Sequence, residues 1–422
     1  MRRRAPDPNR NPGVRPVKRI ELPSRHPLLR LIAVIVLLLI GVGAIAFAVN
    51  AWLNSGTGWQ EITVSSVENC PESGDFTLLC DLGNKGGEAR RKKKALTELY
   101  TAALSRAAAL FDAENDRGGK SDLYRLNHSV GQEITVSDDF YRALETALAD
   151  GRRDLFFGPV AYRYEVLFSI SENDLLAAEN DPQKNAALDD VVRRTVSFAK
   201  DPYDVSVTLL GEGRVLLSVS QDYRAFAEEN GIEEFVGFFR LKNALIVDLV
   251  SDELNAEEGC PEGVLTSYDG FARGIGTSDS YDFPIYDNVG SRVARVAVLS
   301  GSAPKSTACF RSFPITAYEE TFRCYRYADG ELRMGDLDPT DGKLKSCVRG
   351  LTLYATEKTC AELYLAGVTV SAADEFDAAG LASLHASGVQ YICLAGSEIR
   401  YSDTTLTTTE QAYPAYTITA AE

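Results

Sequence analysis

The chain has 422 residues, 45% of them hydrophobic and 25% charged, which supplies a core for one large domain or two modest ones and excludes a wholly disordered or fibrous protein. Its formal net charge is -16, yet the first thirty residues hold nine Lys or Arg against Asp7 and Glu21, a net of +7 that leaves -23 for the rest. An acidic body with no basic stripe argues against nucleic-acid binding, which draws most of its affinity from Lys and Arg on phosphates.

Residues 1–30 read as a basic cytoplasmic tail, and from Leu31 to Leu53 no charged residue occurs. At about 1.5 Å per residue, a helix of that run spans the hydrocarbon core of roughly 30 Å. The basic flank stays in the cytoplasm by the positive-inside rule, and Trp52 fits the far interface. A cleaved signal peptide competes, since Ala46-Phe47-Ala48 has the small-x-small pattern. Its apolar core would exceed the usual length of about 7–15 residues, which favours a retained single-pass anchor in the cell membrane. Residues 54–422 then form the extracytoplasmic part.

All eight cysteines lie beyond that run, where disulfides are permitted. Cys70 and Cys80 bracket a turn-rich stretch between strand-like runs, so a bond between them is the expected pairing. No C-x-x-C occurs and the three histidines are scattered, which argues against zinc. A Ser-His-Asp triad is equally disfavoured, because there is no G-x-S-x-G elbow.

Next, Trp59 to Val67 and Phe76 to Leu82 read as paired strands, and Glu88 to Ala113 as a long amphipathic helix behind a basic cluster. The element Ser121-Asp122-Leu123-Tyr124-Arg125-Leu126-Asn127 follows, then a helix from Ser137 to Ala149 capped by Ser137 or Asp138. Directly after it comes Asp150-Gly151-Arg152-Arg153-Asp154-Leu155-Phe156-Phe157-Gly158-Pro159. Its two glycines and its proline make a stiff frame around Asp154. Strands separated by long helices without regular βαβ alternation predict an α+β fold, a single two-lobed domain.

The order long helix, Ser-x-Leu-x-x-Leu-Asn, second helix, Gly-x-x-Asp-x-x-x-Gly-Pro resembles the FAD:protein FMN transferase (ApbE) family, over roughly Trp59 to the C-terminus. Leu245-Ile246-Val247-Asp248, Ser267-Tyr268-Asp269-Gly270-Phe271, Asp338-Pro339-Thr340-Asp341-Gly342 and Cys360-Ala361-Glu362-Leu363 resemble later motifs of that family. The resemblance implies magnesium-assisted cleavage of FAD and transfer of FMN to a Ser or Thr of a membrane redox protein, the acceptor partner. It points to Ser121, Asn127, Asp154, Gly158, Lys242 and Asp338 around the flavin nucleotide and to Glu362 as metal ligand, and it assigns no catalytic base.

The chain also departs from the family's pattern. Phe238-Phe239-Arg240-Leu241-Lys242-Asn243 stands where the family carries a Gly-Gly-x-Ala-Lys-Gly run, so the glycines are missing. Met334-Gly335-Asp336-Leu337 stands where the family has a histidine. Glu362 replaces an aspartate and Ala366 a threonine, which weakens a site for magnesium, an ion that wants octahedral oxygen ligands at about 2.0–2.1 Å. The sequence thus leaves a second expectation beside transfer, a catalytically impaired relative acting as a flavin- or nucleotide-binding or structural surface module. Each site residue also has an architectural reading: Asp154 and Asp338 as turn anchors, Ser121 and Asn127 as local caps, Glu362 as a favourable charge at a helix start.

Overall fold

The structure is a computed structural model that describes residues 57–67, 70–290, 292–343 and 348–421. The chain divides into Met1–Ser55 and Gly56–Glu422. The apolar run 31–53 lies outside the described residues, and no described helix is long and apolar enough to cross a membrane.

The architecture is mixed α and β. Nine strands form the main sheet, and their order across it is their order along the chain: Trp59–Ile62, Phe76–Asp81, Gly263–Ser267, Phe271–Ile275, Ser306–Arg311, Gly350–Ala355, Gln390–Ala395, Glu398–Tyr401 and Thr417–Ala420. Neighbours run antiparallel except the last pair. The antiparallel part of this meander needs no right-handed crossover, as expected when strands do not alternate with single helices. In Phe76–Asp81 the residues Phe76, Leu78 and Cys80 are buried and Thr77 and Leu79 exposed, the two-residue period of a sheet with one covered face.

Between the second and third strands the chain inserts the helices that cover this face. Gly86–Leu110 buries Leu96, Tyr100, Ala103, Leu104 and Ala107, a stripe at helical spacing. The helix predicted from Ser137 spans Asp138–Leu148, with the Ser137 hydroxyl accepting from the Phe140 amide at 3.3 Å. Leu241–Ala256 is buried on most of its surface because it lies against the long helix, the strand Phe271–Ile275 and the helix Cys360–Ser371. Leu245-Ile246-Val247-Asp248 sits inside this central helix. A separate three-stranded sheet, Thr407–Gln411 with Arg292–Gly301 and Tyr281–Val289, covers a smaller core around Phe283, Leu299 and Ile399.

One expectation is corrected. Cys70 and Cys80 are free thiols, because Pro71–Asp75 is a short 3-10 helix rather than a hairpin turn. Cys70 lies beside Ser105 on the long helix, whereas Cys80 is carried along its strand to the neighbourhood of Cys260. Burial pushes the Cys80 thiol up to about 12.

Asp248 joins the three central elements. It accepts from the backbone N–H groups of Cys360 and Ala361, each at 2.9 Å, and binds Arg273 at 2.9 Å. Burial raises its carboxyl, with Arg273 and the two amides opposing that rise. Asp248→Ala leaves the Arg273 guanidinium with the exposed Asp252 as its charged partner and uncaps a buried helix. Loss of one partner of a buried pair costs about 3–5 kcal/mol. The urea midpoint should therefore drop well beyond error, and an unchanged midpoint would contradict this role.

Candidate functional site

The Asp150 to Pro159 stretch joins two helices, Asp138–Leu148 and Gly158–Ser169. Asp150 and Gly151 take left-handed backbone at φ 58° and 73°, Asp154–Phe156 makes one 3-10 turn, and Pro159 lies in the first turn of Gly158–Ser169. Gly158 has ordinary backbone dihedrals. It is required because a Cβ there would lie 1.9 Å from the Gly237 carbonyl oxygen. The backbones of 154–159 and 236–240 are thus pressed together, and Gly237 N–H donates to Leu155 O at 2.9 Å.

Asn127 fixes the second of these segments. Its Oδ1 accepts from the amides of Phe235 and Val236, both at 3.0 Å, and its Nδ2 donates to Val236 O at 2.9 Å. Ser121 holds the helix that presents Asn127, its hydroxyl accepting from Tyr124 N–H at 3.1 Å and donating to Asp112 O. Both residues are buried frame rather than cavity lining.

Two cavities open beside this junction. The smaller, about 20 Å³, is lined by Asp154, Gly158, Phe238 and Leu365 among others. The larger, about 250 Å³, takes Asp338, Arg240, Arg323, Arg311 and Asp336 into its wall. Phe239, Leu337 and Tyr364 line both. Phe239 has φ 47°, an uncommon conformation for a bulky residue, at the place where the sequence lacks the expected glycines.

The larger cavity is walled by a buried chain of charges. Arg240 donates to Glu165 at 2.5 Å and pairs with Asp336 through Nε. Arg323 reaches Asp336 at 3.5 Å and Glu319 at 3.1 Å, and Arg311 also pairs with Glu319. Asp269 receives Ser267 Oγ at 2.5 Å and Asn243 Nδ2 at 3.1 Å. Asn243 therefore holds the first turn of the central helix to the Ser267 to Phe271 turn, where Gly270 is needed because a Cβ would meet Cys309 O at 2.6 Å.

Burial raises the Glu165 carboxyl, opposed by Arg240 and reinforced by Asp336. Burial alone would lower Arg240, but Asp336 and Glu165 more than reverse that, so the guanidinium stays charged. Burial also raises Glu319, and Arg311 and Arg323 overcome it, leaving that carboxyl below its ordinary value. Asp154 is raised, first by burial, with Arg152 opposing at 3.3 Å and Asp338 adding repulsion.

The structure thus brings Asp154, Gly158 and Asp338 to adjoining cavities. Asp338 Oδ1 also accepts from Thr340 N–H and Oγ1, both at 2.7 Å, so it anchors its turn as well. Lys242 is half-buried in the first turn of the central helix and lines neither cavity. Glu362 is exposed and closes a capping box with Thr359, accepting from its N–H at 2.7 Å and lining neither cavity. Among the described residues no group of three His, Cys, Asp or Glu could hold a metal ion. With Ala366 offering no side-chain oxygen, this donor set does not fit magnesium.

Sequence reading missed Arg311, Arg323, Glu165 and Glu319, and treated Arg240 only as a lost glycine. No local signal marked Glu165, which stands two residues from Arg163 in a stretch of mixed character.

Burial raises the Glu165 carboxyl, so above the ordinary value of 4.5 there is an interval in which the folded chain holds a proton that the unfolded chain has released. This group's contribution to stability is thus greatest at low pH and falls as pH rises through that interval. Urea midpoints at pH 5 and pH 8 should show a smaller fall in Glu165→Gln than in the unaltered chain. Equal falls would show that Glu165 is ionised throughout.

No family model matches the chain, and no curated protein matches it in sequence. Solved structures do match in fold. The ApbE protein of Thermotoga maritima MSB8 is 15% identical with a TM-score of 0.51, over 80% of this chain and 94% of that one. The flavin transferase ApbE of Vibrio cholerae is 14% identical with a TM-score of 0.50, over 84% of this chain and 97% of that one. A histidine-to-glycine mutant of the Vibrio protein gives 12% identity and a TM-score of 0.50 over 84% and 98%. The chain therefore has the fold of the ApbE flavin transferases, as the resemblance in its sequence motifs implied.

Proposed function

We propose that this chain binds FAD at the paired cavities and transfers FMN from it to a Ser or Thr hydroxyl of a partner protein. The observation that carries the reading is the fold likeness, which takes in 94–98% of the flavin transferase chains. The motif order in the sequence supports it independently, as does the convergence of Asp154, Gly158 and Asp338 on adjoining cavities.

In this reaction the acceptor hydroxyl oxygen attacks the FMN-side phosphorus of the FAD pyrophosphate. The phosphorus–oxygen bond to AMP breaks, AMP leaves with the bonding electrons, and the hydroxyl proton is released. Such transfer depends on positioning and on neutralising charge that spreads over phosphate oxygens. Arg240, Arg311 and Arg323 place that positive charge in the wall of the larger cavity. At about 250 Å³ the cavity suits one part of a dinucleotide rather than all of it, since pockets for whole drug-sized ligands run about 300–1,000 Å³.

We assign the chain to the outer face of a cell membrane, held by the 31–53 run, with a membrane redox protein as acceptor. The charge step between residues 1–30 and the acidic remainder supports that orientation.

Incubation of the purified chain with FAD and a Ser/Thr-bearing fragment of a membrane redox protein should add an FMN-sized mass to the fragment. FAD binding, followed by flavin fluorescence quenching, without any mass gain would reduce the protein to a flavin-binding module. Neither binding nor gain would remove the flavin reading. Protease added to intact cells should digest the 54–422 part, and protection from it would reverse the proposed topology.

A further inference from the structure

The charge chain around the larger cavity has donors to spare. Among the described residues, Arg240 Nη1, Arg323 Nε and Arg311 Nε are buried without a hydrogen-bond acceptor. Arg240 and Arg323 have side chains 9% and 3% exposed, and both line the cavity. Native structures rarely leave buried donors unmet, and a ligand that supplies the acceptor is one explanation. Guanidinium groups suit oxyanions, because their planar fork matches phosphate oxygens.

The carboxylates of the chain differ in what holds them. Glu319 is fully buried and receives the Ile315 N–H at 2.5 Å besides its two arginines, and the Glu165 side chain is 8% exposed. Asp269 is committed to Ser267 and Asn243. Asp336 alone is 40% exposed, and it bridges Arg240 to Arg323 from the loop that follows Met334. It can swing into water at little desolvation cost, which the buried acids cannot do.

We propose that this cavity is a metal-independent oxyanion site, in which a phosphate-class group binds directly to the guanidinium groups of Arg240 and Arg323 and displaces Asp336. The inference rests on the flavin reading for its choice of ligand, the pyrophosphate link of a dinucleotide. It departs from that reading's expected metal, because guanidinium groups line the cavity and, among the described residues, no group of three His, Cys, Asp or Glu stands together to hold a cation. Asp336 occupies the site in the absence of ligand as an internal carboxylate.

Inorganic pyrophosphate titrated calorimetrically into the purified full chain in excess EDTA tests this directly. Binding is expected in EDTA, with little change on adding magnesium. Asp336→Asn, which removes the competing carboxylate and leaves the buried pairs intact, should tighten binding at least about fivefold. Arg323→Met should weaken it at least about tenfold, with the far-ultraviolet dichroism spectrum reporting whether that variant folds. Binding only with magnesium, binding in neither buffer, or unchanged or weaker affinity in Asp336→Asn would each overturn the proposal. Parallel titrations with FAD separate the two readings. FAD bound only with magnesium would sink the arginine site and leave the flavin reading standing. Pyrophosphate bound in EDTA while FAD is refused would keep the site and remove the flavin.

Discussion

The buried carboxylate of Asp248 is the constraint on which the site depends. It caps the helix Cys360–Ser371 through two backbone amides and meets Arg273 on the sheet, from the middle of a helix that touches both. A helix start exposes unpaired N–H groups with partial positive charge, so one buried acid can satisfy them and neutralise a buried arginine at once. The consequence reaches the cavities by geometry. Arg240 stands at the first end of the central helix, two turns before Asp248, and Tyr364 stands one turn into the capped helix. Fixing the two helices at Asp248 fixes the distance between these opposing walls.

The same helix start explains why Glu362 is a poor metal ligand. Its carboxylate folds back onto the Thr359 amide, and the Thr359 hydroxyl meets the Glu362 amide at 3.2 Å. A reciprocal capping box uses the charge for helix termination and points it along its own helix. With Asp248 already meeting the next two amides, the acids nearest this terminus are both occupied by architecture. The positive charge in the wall of the larger cavity comes instead from Arg240, Arg311 and Arg323.

Legibility in the sequence followed the range of the interactions. The paired first strands, the long helix and the Ser137 cap were readable because two-residue and 3.6-residue periods and a hydroxyl before an acidic first turn act within a few residues. The loop around Asp154 was recognisable as stiff, yet the reason for Gly158 was not. Its constraint is the Gly237 carbonyl, 79 positions away, which no local pattern announces. The charge chain was invisible for the same reason. Glu165 and Arg240 pair across 75 positions, and each alone resembles a solvated surface residue. The Cys70 and Cys80 pairing failed because proximity in sequence was taken for proximity in space, when a 3-10 turn followed by an extended strand separates them.

The strained Phe239 ties these observations together. A glycine at this place would adopt positive φ without cost, whereas here the backbone carries an aromatic ring through it. Strain of order 1–3 kcal/mol persists only where the surroundings impose it. Here they do: Asn127 grips residues 235 and 236, Gly158 presses on Gly237, and Arg240 is anchored to Glu165. The ring that results is shared by both cavities and lies 5.3 Å from the Arg240 guanidinium carbon. Phe239 is thus a side-chain wall between the space beside Asp154 and the arginine-lined space beyond. The backbone frame at this junction thus stands beside a wall in which arginine side chains carry the charge.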